Sequence, residues 1–270
     1  MEFKAFKMDG LGNDFLIIDR RNTEVSLTKE EIIKLGRRDN IGFDQIIFIE
    51  KEQDQNIIPI TIYNSDGNEV SACGNGSRCI AYIVSREKER ENILLQTSNR
   101  ILKADIISDF KVRINMGIPI FDWQKIPLSK NIDYRNINLK IEGNDFKEGF
   151  ALNVGNPHIV FFVKNCFNYD LKKIGPLIEN HELFPEKTNV TFAQVIDKNN
   201  IKVNVWERGA GLTKACGTAA CATAVAGNIK GLSHKSSNIE FNEGILNLVY
   251  EDQIFMTGPV SEIKKINVKV

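Results

Sequence analysis

Residues 60–74 read ITIYNSDGNEVSACG, and residues 203–217 read VNVWERGAGLTKACG. The second stretch begins 143 residues after the first and aligns with it without a gap, from a β-branched run to the shared Ala-Cys-Gly. At the same offset, Gly-Asn at residues 12–13 falls on Gly-Asn at residues 155–156, and an apolar run follows both. Because one offset joins two separate segments in the same order, we predict that the chain contains a duplicated domain.

The predicted halves lie near residues 1–117 and 118–260, and Gly117-Ile118-Pro119 provides a turn-forming junction. Many short strands with few helices favour an α+β fold over a doubly wound sheet. Short β-branched or aromatic runs predict strands at residues 15–18, 45–49, 60–63, 159–163 and 202–206.

Helices are predicted from capping and from small-residue content. Thr28 with Glu31 forms a capping-box pattern, which predicts a helix that runs to about Arg38. Two segments rich in small residues predict closely packed helices at residues 76–84 and 219–226. Alternating residues at 101–106 and 111–116 predict that these two segments form a hairpin.

The composition indicates a soluble globular protein. The chain has 270 residues, 42% of them hydrophobic, with 35 basic and 35 acidic side chains, so the net charge predicts neither nucleic acid nor a membrane as partner. The N-terminus shows no apolar signal-peptide core, and no apolar run approaches about 18 residues. Five cysteines without a secretion signal predict reduced thiols and a cytoplasmic protein.

Two of these cysteines, Cys73 and Cys216, stand where a loop leads into a predicted helix. Unpaired N–H groups and the positive end of the helix dipole predict a lowered thiol pKa there, and they suit a ligand carboxylate. If equivalent loops of the two halves face each other, the thiols flank one small molecule. Racemisation at an α-carbon requires this arrangement, because one base removes the proton and an acid returns a proton to the other face.

Other roles for the cysteines are less well supported. Cys79, Cys166 and Cys221 are expected to be buried apolar residues. The sequence contains no C-x-x-C pair, and its three histidines are irregularly spaced, so no metal site is expected. A disulfide or redox switch between Cys73 and Cys216 stays open, since facing thiols can oxidise. No dinucleotide or Walker motif is complete, so no cofactor is expected.

Seven segments, in order along nearly the whole chain, resemble the diaminopimelate epimerase family. They are residues 6–15 (FKMDGLGNDF), 42–45 (GFDQ), 63–67 with 73–79 (YNSDG and CGNGSRC), 155–158 (GNPH), 188–190 (TNV), 206–209 (WERG) and 215–218 (ACGT). Asp9, Tyr63 and Ala219 depart from residues that are common in the family; if position 219 is helical, alanine there is stabilising.

The resemblance implies two pseudo-symmetric domains, each a curved, mainly antiparallel sheet around a central helix, with the active site in the interdomain cleft. The final strand returns to the first domain, which gives residues 1–117 plus 261–270 with Cys73, and residues 118–260 with Cys216. It further implies a cytoplasmic homodimer that acts on a small amino acid, converting LL- to meso-diaminopimelate in lysine and peptidoglycan precursor synthesis, without cofactor or metal.

The resemblance also implies the roles of individual residues. Cys73 and Cys216 match the base and acid, which exchange roles with the direction of reaction. His158 and Glu207 match residues that tune the thiols; a charged imidazole favours thiolate and a carboxylate opposes it. The substrate-binding positions are Asn13, Gln45, Asn64, Gly74, Asn75, Asn156, Asn189, Glu207, Arg208, Gly217 and Thr218.

Three other functions remain open from the sequence. The first is a proline or hydroxyproline racemase, although racemases on this fold have histidine where Asn75 stands. The second is a phenazine-pathway isomerase, although those enzymes replace the thiol pair. A sensor that binds an amino acid, or oxidises reversibly, without turnover is the alternative from another class.

Overall fold

The computed structural model describes residues 1–52, 56–70 and 73–270. Ala72, part of the first Ala-Cys-Gly, therefore lies outside the described residues. The chain divides into two compact units, Met1–Asn115 with Thr257–Val270, and Met116–Met256.

Short strands dominate both units. In chain order the elements are β1 (Glu2–Asp9), β2 (Asp14–Asp19), α1 (Lys29–Gly36), β3 (Gln45–Ile49), β4 (Ile57–Asn64), β5 (Glu69–Val70), α2 (Gly74–Lys88), β6 (Asn92–Gln96), β7 (Ile101–Ser108), β8 (Lys111–Gly117), β9 (Ile137–Ile141), β10 (Asn144–Asn153), β11 (Pro157–Phe162), α3 (Leu171–Glu179), β12 (Asn189–Asp197), β13 (Asn200–Glu207), β14 (Gly211–Leu212), α4 (Gly217–Ile229), β15 (Ser236–Phe241), β16 (Gly244–Tyr250), β17 (Ile254–Pro259) and β18 (Lys264–Lys269).

In the first unit, β1 pairs antiparallel with both β18 and β2, so the last strand of the chain completes the sheet of the first unit. The sheet continues through a parallel pairing of β2 with β3 and an antiparallel pairing of β3 with β4. β4 also pairs in parallel with β6. From there, β6 pairs antiparallel with β7, and β7 pairs antiparallel with β8. The helix α2 packs against β1, β3, β6 and β7, and its residues 75–85 are buried. A helix buried on nearly all sides is typical of a position inside a curved sheet.

The second unit repeats this plan. β10 pairs antiparallel with β9 and β11, β11 pairs parallel with β12, and β12 pairs antiparallel with β13. β13 continues in parallel to β15, which pairs antiparallel with β16. The helix α4 packs against β10, β11, β12, β15 and β16, and its small side chains permit this close approach. Stacked rings of Phe161, Phe192 and Tyr169 lie in the core on the other side of the sheet.

The offset found in the sequence also relates the elements of the two units. β2 and β11, β4 and β13, α2 and α4, β7 and β16, and β8 and β17 each begin 143 residues apart. The parallel and antiparallel pairings of these strands match as well. The outer neighbour of the first strand differs, since it is the chain-terminal β18 in one unit and the preceding strand β9 in the other.

The predicted α+β architecture, the five predicted strands and the predicted hairpin of β7 with β8 are confirmed. The capping box of α1 is present, with the Glu31 N–H donating to Thr28 Oγ1 and the Thr28 N–H donating to Glu31 Oε2. This helix ends at Gly36, two residues before the predicted end, because Arg37 has extended backbone. The helices α2 and α4 are longer than predicted, since each begins directly after its cysteine.

Within the described ranges, no helix combines the length and the apolar character that crossing a membrane requires.

Candidate active site

Cys73 is the N-cap of α2 in the first unit. Its backbone is extended, and the Gly76 N–H donates a hydrogen bond to Cys73 Sγ at 3.3 Å. A Cβ at position 76 would collide with Ile47 Cδ1 and lie 3.6 Å from Cys73 Sγ, so a larger residue there would require the Ile47 side chain to move. The thiol is partly exposed at the start of the helix, where N–H groups without an intrahelical partner surround it.

Cys216 is the N-cap of α4 in the second unit, and only 4% of its surface is exposed. Its Sγ lies 3.4 Å from Thr218 Oγ1. Burial raises the pKa of Cys216 well above its ordinary value, and the neighbouring Glu207 carboxylate raises that pKa further. The sequence-based expectation of a lowered pKa at this helix start is therefore wrong for Cys216. Loss of hydration and a nearby negative charge outweigh the helix dipole, so this residue is a neutral thiol near neutral pH.

Glu207 is the last residue of β13, the strand that precedes Cys216. Burial raises the pKa of its carboxyl group, although the hydrogen bond with Cys216 acts in the opposite direction. The carboxylate opposes ionisation of the thiol, in the direction that the sequence analysis expected for Glu207.

Three amide side chains of the first unit, those of Asn13, Gln45 and Asn64, stand at or directly beside the ends of β2, β3 and β4. Gln45 and Asn64 are opposite each other in the β3–β4 register, and Gln45 Nε2 donates to Asn64 Oδ1 at 2.9 Å. Asn13 Oδ1 lies 4.0 Å from Cys73 Sγ. Among the described residues, buried Gln45 Oε1 and Asn75 Oδ1 find no hydrogen-bond partner. A buried acceptor without a donor costs free energy, so these two oxygen atoms are available to the donors of a ligand.

Asn156, Asn189 and His158 form the corresponding cluster in the second unit. His158 and Asn189 are neighbours in the parallel β11–β12 register. Asn189 Nδ2 donates to the Pro157 carbonyl at 2.7 Å, and Asn189 Oδ1 accepts from the Arg208 N–H at 2.9 Å. The structure thus joins Asn189 to the turn after β13 that carries Arg208.

His158 is fully buried, and burial together with the positive charge of Arg208 lowers its pKa to about 3. The imidazole is therefore neutral near pH 7, and the suggestion that a charged His158 favours a thiolate is wrong for this conformation. Its Nε2 lies 2.8 Å from Asn156 Oδ1, whereas its Nδ1 has no partner among the described residues. Nε2 also lies 3.5 Å from Asn189 Nδ2, but the shorter contact with Asn156 Oδ1 favours the tautomer that carries the proton on Nε2 and donates to Asn156.

Because the folded-state pKa of His158 lies below the ordinary value of about 6.5, its neutral form stabilises the fold above that pH, and this contribution is lost as the pH falls. We expect a loss of about 1.4 kcal/mol in the free energy of unfolding per pH unit below about 6. Urea denaturation at pH 7 to 4.5 checks this: His158→Asn should flatten the slope, while exposed His234→Asn should retain it. Equal slopes in wild type and His158→Asn would contradict the assignment.

Arg208 is exposed, and one of its guanidinium N–H groups donates to the Glu186 carbonyl at 3.0 Å. A guanidinium held in this way can still present a second edge to the carboxylate of a ligand.

Two carboxylates at the site were missed by the sequence analysis. Asp44 accepts from Asn13 Nδ2 at 3.1 Å, and its only sequence signal was its place in the motif GFDQ. Glu179, at the end of α3, accepts from Trp206 Nε1 at 2.7 Å and from the Gly209 N–H at 3.0 Å, which holds the turn containing Glu207 and Arg208. No local pattern marks Glu179, since its partners lie about 30 residues away in the chain.

In the described part of the chain, no three His, Cys, Asp or Glu side chains are grouped as a metal site would require. The five cysteines are all thiols.

Solved structures of other proteins share the fold of this chain. A phenazine biosynthesis protein of the PhzF family from Enterococcus faecalis superposes with a TM-score of 0.68 at 13% identity, covering 100% of both chains. A hydroxyproline epimerase from Agrobacterium vitis superposes with a TM-score of 0.68 at 11% identity, covering 99% of this chain and 92% of the other. At these identities the likeness shows the fold alone, a fold on which racemases and epimerases are found.

Closer relatives identify the family. The family model described as diaminopimelate epimerase matches residues 5–121 and 150–263. A diaminopimelate epimerase of Pelagibacter ubique is 53% identical over all of both chains, and one of a Wolbachia from Brugia malayi is 40% identical over 94% of this chain and 96% of its own. The chain belongs to the diaminopimelate epimerase family, and it is an isomerase of the epimerase class.

Proposed function

We propose that this chain interconverts LL-2,6-diaminopimelate and meso-diaminopimelate, a step in lysine and peptidoglycan precursor synthesis, without a cofactor. The observation that carries the proposal is the recurrence of a cysteine N-cap at the starts of α2 and α4, 143 residues apart, in a member of this family. Each unit supplies one thiol, and a two-base reaction requires two such acid–base groups.

In the proposed reaction, one sulfur atom removes the α-proton as a thiolate and becomes a thiol. The other sulfur, starting as a thiol, gives its proton to the opposite face of the α-carbon and becomes a thiolate. Because Cys216 is a neutral thiol, it can act as the acid in one direction of the reaction, and Cys73 is then the base. The roles exchange in the reverse direction, so that the proton count of the enzyme is unchanged over each turnover.

The carbanion formed at the α-carbon needs an electron sink, which we assign to the substrate carboxylate. The backbone N–H groups of Gly74 and Asn75, and those of Gly217 and Thr218, open the two helices. The first N–H groups of a helix have no partner within it and attract negative charge. Donors already in place where charge develops are the main source of stabilisation for such a transition state.

We assign the distal amino-acid end of the substrate to the remaining polar side chains. The orphaned acceptors Gln45 Oε1 and Asn75 Oδ1 suit an ammonium group, and Arg208 suits a carboxylate. Asn13, Asn64, Asn156, Asn189 and Glu207 complete the proposed set.

We further propose that residues 1–117 with 261–270, and residues 118–260, descend from one duplicated domain, and that the enzyme acts as a cytoplasmic homodimer. The common 143-residue spacing of their elements supports the duplication. Size-exclusion chromatography with light scattering tests the dimer, which a monomeric mass would refute.

The decisive experiment is incubation with LL-diaminopimelate in D₂O under reducing conditions, with no metal or pyridoxal phosphate added. We expect deuterium at the inverted α-carbon, detected by NMR, and formation of the meso isomer, detected by chiral chromatography. L-Proline serves as the comparison substrate and should exchange no α-proton. Binding of diaminopimelate without exchange would reject turnover, and exchange of proline alone would point to the racemase alternative.

A further inference from the structure

The carboxylate of Asp44, just before β3, receives hydrogen bonds from three groups. Its Oδ2 accepts from Asn13 Nδ2 at 3.1 Å and from the Asp14 N–H at 3.0 Å. Its Oδ1 accepts from Arg38, which also contacts Asp14. The backbone fixes the position of Asp44, since its N–H donates to the Asp14 carbonyl at 2.9 Å and its carbonyl accepts from the Ser65 N–H at 3.0 Å.

This contact determines which way the Asn13 amide faces. An ionised carboxylate has only acceptors, so it requires the NH₂ end of Asn13. The oxygen of the same amide must then point the other way, and it lies 4.0 Å from Cys73 Sγ. A carbonyl oxygen beside sulfur can accept a hydrogen bond from a thiol, but it has no hydrogen to donate to a thiolate. The protonated form of Cys73 is therefore the form that this amide orientation favours.

The duplicated position in the second unit has the opposite arrangement. Asn156 lies 143 residues after Asn13, but its anchor is the donor Nε2 of neutral His158, at 2.8 Å from Asn156 Oδ1. The oxygen is engaged there, so the NH₂ end is the one turned outward. One unit anchors its asparagine through an acceptor and the other through a donor, and the two amides consequently present opposite polarity.

We propose that Asp44 is a positioning residue of the epimerase site, which holds the Asn13 carbonyl oxygen toward the Cys73 thiol and so stabilises Cys73 in its protonated state. This inference rests on the proposed function in treating Cys73 as a catalytic thiol. The amide orientation itself is a property of the first unit and can be measured without substrate.

Several charged groups surround this arrangement. Lys7 Nζ donates to Asp14 Oδ2 at 2.7 Å, and Arg38 contacts both Asp14 and Asp44. Burial and the neighbouring Asp14 raise the pKa of Asp44, whereas Lys7 and Arg38 hold the pKa of Asp14 below its ordinary value. On the helix side, Cys73 interacts with the Cys79 thiol, whose pKa burial raises.

The variant Asp44→Asn tests the proposal. An asparagine at position 44 has one oxygen for the three donors that the Asp44 carboxylate receives, so it no longer requires the NH₂ end of Asn13. The Asn13 amide is then able to turn and present NH₂ to the sulfur, which favours thiolate. We expect the midpoint pH for alkylation of Cys73 by iodoacetamide, followed by peptide mass spectrometry, to fall by about one unit. The kcat for epimerisation should fall about tenfold in the direction in which Cys73 starts as the acid, because the amide no longer supports the protonated thiol.

Asp39→Asn is the matched control. Asp39 carries the same charge and pairs with Arg37 at 3.3 Å, but both side chains are largely exposed and lie outside the Asp44 network. The Cys73 midpoint and the kcat of this variant should equal those of the wild type. A shift of the same size in Asp39→Asn would mean that general loss of negative charge, and not amide orientation, moves the midpoint, which overturns the proposal.

Asn13→Ala separates positioning from folding. It removes the acceptor beside sulfur, so the Cys73 midpoint should fall, and adding Asp44→Asn to this variant should change nothing further. An unchanged midpoint in Asn13→Ala, or an unchanged or higher midpoint in folded Asp44→Asn, overturns the proposal. If Asp44→Asn does not fold, Asp44→Ala takes its place; it also removes the acceptor that orients Asn13, and the Cys73 midpoint should fall as well. If the wild type shows no diaminopimelate exchange while the midpoints shift as expected, the proposed function fails and the positioning role of Asp44 stands.

Discussion

Cys73→Ala and Cys216→Ala are each expected to lower the kcat for epimerisation of LL-diaminopimelate by about 10³-fold or more. Inversion needs one sulfur to take the proton and the other to return it, so the loss of either sulfur removes an obligatory step. A single positioned acid or base contributes about 10²–10⁴-fold to catalysis. Chiral chromatography of the products under reducing conditions measures the effect.

The matched control is Cys166→Ala, which removes a fully buried thiol from the core of the second unit, away from the start of α4. This variant should lose about 1–2 kcal/mol of stability because of the small cavity, and it should retain the wild-type kcat. Formation of the meso isomer at more than a hundredth of the wild-type rate in either Cys73→Ala or Cys216→Ala would refute the two-thiol reaction.

Gly175→Ala is expected to destabilise the protein by about 2–3 kcal/mol and to lower the melting temperature by roughly 5–10 °C. An added Cβ at position 175 in α3 would lie 2.5 Å from Trp206 Cγ and 2.9 Å from Trp206 Cβ. The indole cannot retreat easily, because its Nε1 donates to the buried Glu179 carboxylate. Alanine must therefore push α3 away from β13, and kcat/KM should fall as Glu207 and Arg208, directly after Trp206, are displaced.

The expected loss of stability in Gly175→Ala is opposite to the usual effect of this substitution in a helix. In an ordinary helix interior, replacing glycine with alanine stabilises a protein by about 1 kcal/mol. A higher melting temperature for Gly175→Ala, measured by differential scanning calorimetry, would therefore contradict the packing described for α3. In a Trp206→Leu background the same substitution should cost less, since the smaller side chain leaves room for the new methyl group.

Much of the fold could be predicted from the sequence, because its signals are local. The five β-branched runs form strands, and the Thr28 capping box begins α1. Both small-residue segments form helices that open directly after Cys73 and Cys216. The helix α3 was missed, since it is short and contains Pro176, a residue that usually marks the end of a helix.

The charge states at the site could not be predicted in the same way. A cysteine at a helix start predicts an ionised thiol from local reasoning, but Cys216 is buried beside Glu207 and stays neutral. His158 was expected to be able to carry charge, yet full burial makes its neutral form the stable one. Dehydration depends on everything that packs around a group, and most of that surrounding comes from distant parts of the chain.

The sequence by itself determined the 143-residue offset, the pair of cysteines and the membership of the family, because a repeated offset and ordered motifs are properties of the chain alone. Only the tertiary structure decided which groups orient and tune those cysteines. Asp44 meets Asn13 from 31 residues away, and Glu179 meets Trp206 from 27 residues away. Hydrogen bonds act over about 3 Å, and only folding brings such distant residues within that range.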